Sequence, residues 1–117
     1  TAWAAPTATD FTQFVYIGNV TNGNIGIVGV KIMPQADFPQ HILTFTAEYS
    51  SDNITYTSVD NGFEFSTNFS SATPYDHTQA SLNYFATPVY AQYIKIKPTS
   101  AHVYNAFRAG LIQGTIV

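Results

Sequence analysis

Six residues, Gln92 to Lys97, alternate without a break between two kinds of side chain, and this constrains the chain more than any other feature. Gln92, Ile94 and Ile96 fall on one face, and Tyr93, Lys95 and Lys97 on the other. A period of two with β-branched residues on one side is the signature of a strand with one face buried. Pro98 has no N–H to give a ladder, so the strand is expected to stop there. A polar loop follows, and Ala106–Phe107–Arg108 opens a second apolar strand that runs towards Ile116 and Val117.

Earlier segments repeat the theme. Leu43, Phe45, Ala47 and Tyr49 alternate with Thr44, Thr46, Glu48 and Ser50, which predicts an amphipathic strand. Ser51–Asp52–Asn53 then turns the chain into a returning strand, Ile54–Val59. Asp60–Asn61–Gly62 is a second turn signal, leading to a short strand at Phe63–Ser66. Between Ile25 and Met33 apolar residues occupy both alternating sets, as expected of a central strand buried on both sides. Further strands are expected at Gln13–Gly18 and Leu82–Phe85. Short strands and turns without a helical period predict one all-β domain over residues 1–117, an antiparallel sandwich or barrel.

The run from Ala91 to His102, followed by Ala106–Phe107–Arg108, resembles the closing motif of discoidin-type domains, the F5/8 type C domains. That motif reads roughly A-R-Y-I-R-I-x-P-T-S-W-H, a short loop, then A-L-R-x-E-L. Ala101 replaces its tryptophan, and Gly110 its glutamate. Thr1–Ala2–Trp3 and Gln13–Gly18 are similar to the family's opening, and the whole hairpin from Leu43 to Val59 to its central hairpin, with Tyr56 at the tryptophan position, so the likeness covers nearly the whole chain. The resemblance implies a jelly-roll β-sandwich of the galactose-binding type and a role in recognition. It also implies structural roles for Arg108 and Trp3. Members of the family usually carry a segment before the T-A-W motif, which adds an edge strand and, in many sugar binders, a calcium loop. The chain is therefore expected to be a fragment or module of a larger protein, with that strand absent or supplied by another chain. Calcium is the one ion the family would suggest, but Gly110 in place of the carboxylate argues against a family-type calcium site, and no cofactor is expected.

Composition excludes several functions. Only 9% of the 117 residues are charged, and four basic residues against seven acids give a net charge of −3. Nucleic acid and anionic membranes need clustered Lys and Arg, so neither is an expected partner. Membrane insertion through apolar tips such as Met33 and Phe38 is disfavoured for the same reason. The absence of cysteine removes disulfides and thiolate chemistry. His41, His77 and His102 are far apart and lack metal-ligand spacing. Asp76 and His77 are neighbours that extended backbone would turn to opposite faces. No nucleophile elbow or phosphate loop is present, so no enzyme is expected.

Sugar recognition fits the remaining residues. A pyranose is held by an aromatic ring against its C–H face and by directional partners for its hydroxyls. Two loops offer both kinds of group. One holds Asn68, Phe69, Tyr75, Asp76 and His77, and the other His102, Tyr104 and Asn105. Each residue also has a plainer reading, with Phe69 and Tyr75 capping the core and Asp76 and His77 solvated. Asn19, Asn53 and Asn68 stand in N-x-S/T sequons, which favours an extracellular or cell-surface setting. The expected function is non-catalytic carbohydrate binding or adhesion, of galactose-type glycans in the first place. The rival is a structural subunit that assembles with other protein chains through an exposed sheet edge.

Overall fold

The β-branched and aromatic alternation does build strands, and they pair into two antiparallel sheets. A computed structural model describes residues 2–4, 15–18, 25–34, 41–67, 69, 80–102 and 106–114. In chain order the strands are β1 (Ala2–Ala4), β2 (Val15–Gly18), β3 (Ile25–Met33), β4 (His41–Ser50), β5 (Thr57–Ser58), β6 (Phe65–Ser66), β7 (Ser81–Ala91), β8 (Tyr93–His102) and β9 (Ala106–Gln113). One sheet has the order β1-β9-β3-β7. The other runs β2-β8-β4-β5, with β6 also on β4. Their inner faces pack as an antiparallel jelly-roll sandwich around Ile27, Val30, Ile32, Phe45, Ile94, Ile96 and Phe107, all at most 1% exposed. Each such side chain contributes about 1.5–3 kcal/mol on leaving water.

β3 is buried on one face, not both. Its register with both neighbours shifts between Ile27 and Gly29. Opposite that point β7 carries four residues, 85–88, between the pairs Ile27↔Val89 and Gly29↔Tyr84. A bulge reverses which set of alternate residues faces inward. Ile27 is therefore inside before it, and Val30 and Ile32 inside after it, while Lys31 is exposed. The same effect corrects β4. Its register with β8 shifts on either side of Thr44, so Ile42 and Phe45 are both buried, while Leu43 is only half-buried.

Pro98 does not end its strand. β8 continues to His102, and Pro98 stands where the β4 register shifts, beyond the last described β2 pair, Val15↔Ile96. A missing N–H is tolerated at such an irregularity. The strand expected at Ile54–Val59 is also shorter. Bends occupy residues 51–55, β5 keeps only Thr57–Ser58, and a 3₁₀ turn spans Val59–Gly62. The reason is local. Asp52 Oδ1 accepts the N–H groups of Ile54 and Thr55, both at 2.9 Å, and the Ser50 hydroxyl at 2.9 Å. Ser50 Oγ in turn accepts the N–H groups of Asp52 and Asn53. Side-chain oxygens thus take the donors that a ladder would use.

β3 and β7 approach so closely that Gly29 has no room for a side chain. A Cβ there would lie 2.4 Å from the Asn83 carbonyl oxygen, whereas one on Gly110 would meet nothing within 4 Å. Gly29→Ala is expected to destabilise the fold by about 1–3 kcal/mol in denaturant melts, and Gly110→Ala to stay within about 0.5 kcal/mol. Equal effects of the two would contradict the close approach.

The N–H groups of Thr55 and Ile54, then the Ser50 hydroxyl, hold the exposed Asp52 carboxyl below its ordinary value of 3.8. A depressed folded-state pKa stabilises the fold above the ordinary value and loses that contribution as pH falls through the lower one. Thermal melts between pH 7 and 2 should therefore show Asp52→Asn below the wild type at neutral pH, with the gap closing in acid. A gap constant with pH would contradict the assignment.

Candidate functional site

The strand registers bring the flanks of both expected loops to one end of the sandwich. His41, which opens β4, pairs with His102, which closes β8. Thr67, just after β6, donates its N–H to the Leu43 carbonyl at 2.9 Å and its hydroxyl to the Ile42 carbonyl at 3.0 Å. Ser81, which opens β7, pairs with Ile32 near the end of β3. Ala106, which opens β9, pairs with Ala4. Both loops therefore start and finish on this end. A hydroxyl cluster, Thr44 with Thr99 and Ser100, ties β4 to β8 beside it.

Of the residues expected to touch a sugar, Phe69 and His102 lie within this description. Phe69 is half-buried, packs on the core, and gives its N–H to Thr67 Oγ1 at 3.3 Å. His102 is the last residue of β8. Asn68, Tyr75, Asp76, His77, Tyr104 and Asn105 fall outside the described residues, as do the sequon at Asn19 and the loop residue Phe38. Asn53 is exposed in the Asp52 turn, with a left-handed φ of 61°. Arg108 is half-buried and donates from Nε to the Pro34 carbonyl at 2.9 Å, which fastens β9 to the end of β3. Trp3 pairs with Phe107 across β1 and β9. Among the described residues no group of three or more His, Asp or Glu could hold a metal ion, and no helix is long and apolar enough to cross a membrane.

A second feature lies on the side of the sandwich, where the sheets meet at β7. The β7 bulge takes Ala86 and Thr87 out of register with β3. Asp60 accepts their N–H groups, Ala86 on Oδ2 at 2.7 Å and Thr87 on Oδ1 at 2.9 Å. To reach them, Asp60, Asn61 and Gly62 all take left-handed backbone, with φ of 49°, 59° and 83°. Asp and Asn tolerate this conformation better than other side chains, and Gly adopts it freely. The carboxylate thus clasps the edge of one sheet to the β5–β6 connection of the other.

Two shallow depressions flank the clasp and share Asp60 and Ala86. The first, about 460 Å³, is lined also by Tyr49, Ser58, Asn61, Thr87 and Val89. The second, about 370 Å³, is lined by Phe63, Phe65, Tyr84 and Phe85. Phe63 is 58% exposed and Tyr84 59%. Sequence reasoning found the Asp60–Asn61–Gly62 turn but not these depressions. The one local signal was Pro88, which interrupts an otherwise regular strand.

The model of the F5/8 type C domain matches residues 1–111. Among solved structures, recombinant discoidin II of Dictyostelium discoideum superposes with a TM-score of 0.79 at 20% identity, over 99% of this chain and 42% of that one. This chain therefore spans well under half of discoidin II. A pectin binding carbohydrate binding module gives a TM-score of 0.55 at 17% identity, over 98% of this chain and 91% of that one. The C-terminal domain of a chitobiase from Bacteroides fragilis gives 0.55 at 16% identity, over 93% and 78%. No curated protein sequence matches the chain. At such identities the neighbours establish the fold.

Removing the clasp should loosen β7 specifically. Asp60→Asn keeps a left-handed-tolerant residue but replaces the charged acceptor, and is expected to cost about 1–2 kcal/mol. Hydrogen exchange at the Ala86 and Thr87 amides should accelerate, while that at Ile94 and Ile96 follows global stability alone. Unchanged protection at Ala86 and Thr87 would contradict the clasp.

Proposed function

Because the chain belongs to the F5/8 type C (discoidin) domain family, we propose that this recognition module binds carbohydrate through the loops at the His41–His102 end. The register of the strands carries this reading, since it anchors the flanks of two loops rich in aromatic, histidine and amide groups at a single end. Tyr75 or Tyr104 would supply a ring for stacking. Asn68, Asp76, His77, His102 and Asn105 would supply partners for hydroxyls, with Phe69 supporting the loop from below. A galactose-type glycan suits such a set because its apolar C–H face and its hydroxyls ask for both kinds of contact. The pectin binding module among the structural neighbours supports the ligand class. No catalytic step is proposed, and no metal is required. An extracellular or cell-surface setting accords with glycan partners.

The purified chain, screened on a glycan array with and without calcium, should bind galactose-terminated glycans in both conditions and behave as a monomer in solution. His77→Ala or His102→Ala should weaken binding about tenfold, the effect of one lost hydrogen bond of ordinary strength. Silence on the array together with oligomers would contradict the reading and favour an assembly subunit.

A further inference from the structure

We propose that the side of the sandwich around the Asp60 clasp is a second carbohydrate-binding site, separate from the loops and suited to a neutral oligosaccharide. This inference rests on the reading of the domain as a carbohydrate binder but not on the loop residues. Asp60 follows the pair Glu48↔Ser58, near the end of β4 away from His41. The clasp is therefore displaced along the strands from the loop-bearing end.

The two adjoining depressions divide the work that a sugar chain requires. The apolar one presents the exposed rings of Phe63 and Tyr84. Phe63 is braced edge-to-face on Phe65 at 5.0 Å, and Phe65 in turn contacts Phe45 at 5.3 Å and Phe85 at 5.8 Å. A ring anchored to the core in this way offers a face for stacking with little ordering left to do. The polar depression presents Ser58, Asn61 and Thr87. Among the described residues no hydrogen bond engages the side chains of Ser58, Asn61 or Thr87, so their donors and acceptors face solvent. Asp60 is fixed between the two, and each of its oxygens has a lone pair left after meeting the β7 N–H groups.

Size and charge narrow the ligand. Depressions of about 460 and 370 Å³ lie within the range that holds small ligands. Because they share a wall, they suit consecutive rings of one chain: one ring stacked on Phe63, the next hydrogen-bonded to Asn61, Ser58 and Thr87. Among the described residues the only charged one lining either depression is Asp60, which disfavours a uronate polymer and favours neutral sugars. A domain with sites at its end and on its side would grip one glycan chain at two places, or cross-link two.

The test is an amide NMR titration of the whole chain with β-1,4-galactotetraose, cellotetraose and chitotetraose in turn, with tetragalacturonate as the anionic control. At least one neutral probe should shift the amides of Asn61, Phe63, Tyr84 and Thr87 in a saturable manner, and tetragalacturonate should bind more weakly. Phe63→Ala should weaken that binding about tenfold. Asn61→Gly, which removes the amide while keeping the left-handed backbone, should weaken it as well. Both variants should keep the dispersed spectrum of the folded chain, and His77→Ala should leave the side site unaffected. Shifts confined to residues near His41 and His102 would overturn the second site and leave the proposed function standing. Shifts confined to the clasp would support the second site and overturn the loop assignment. No shift with any neutral probe would overturn both.

Discussion

The packing of β3 against β7 is the constraint on which most of the sandwich depends. Gly29 allows the Asn83 carbonyl to come within 2.4 Å of where a Cβ would stand, and immediately beyond it β7 bulges by several residues. The bulge reverses the inward set along β3, and so decides that Ile27, Val30 and Ile32 share one core. It also withdraws two backbone N–H groups from the ladder. Asp60 supplies acceptors for both from the opposite sheet. One irregularity in one strand thus explains a glycine, a run of left-handed residues and the closure of the sandwich's side.

Closure at the side leaves the two ends different in character. The end carrying Ser50 to Tyr56 is held by short local bonds, the Asp52 carboxylate and Ser50 hydroxyl among them, and by Gln92 N–H on the Ser50 carbonyl at 3.1 Å. The other end is where the flanks of the long connections gather. Rigid strands under longer loops are how a sandwich presents binding groups without disturbing its core. Glu48 illustrates the contrast. It pairs with Lys95 at 3.9 Å and Lys97 at 3.6 Å on the outer face of its sheet, where such pairs contribute little.

Much of this was legible in the sequence where the period of two holds without interruption. Ile94 and Ile96 are fully buried as their alternation requires, and Lys95 and Lys97 lie on the other face. The failures share a cause. In Ile25–Met33 a phase reversal at a bulge produces the same pattern as burial on both faces, and nothing local separates the two. Pro98 read as a terminator because its tolerance depends on partners in β2 and β4 that lie far away in the chain. Asp60–Asn61–Gly62 was plainly a turn, but its acceptors' partners are 26 residues or more away, so the depressions beside it were invisible. The loops were suggested by their aromatic, histidine and amide residues, and the fold by family motifs. The motifs carried no information about the side of the sandwich.

Hydrogen–deuterium exchange on the chain, with and without a saturating galactose-terminated glycan, tests the central claim most directly. The account predicts protection in segments 67–80 and 100–106, at the end where His41 meets His102, with the Ser50–Tyr56 end unchanged. Binding that protects neither segment would contradict the placement of the site, and the absence of any protection would contradict carbohydrate recognition itself.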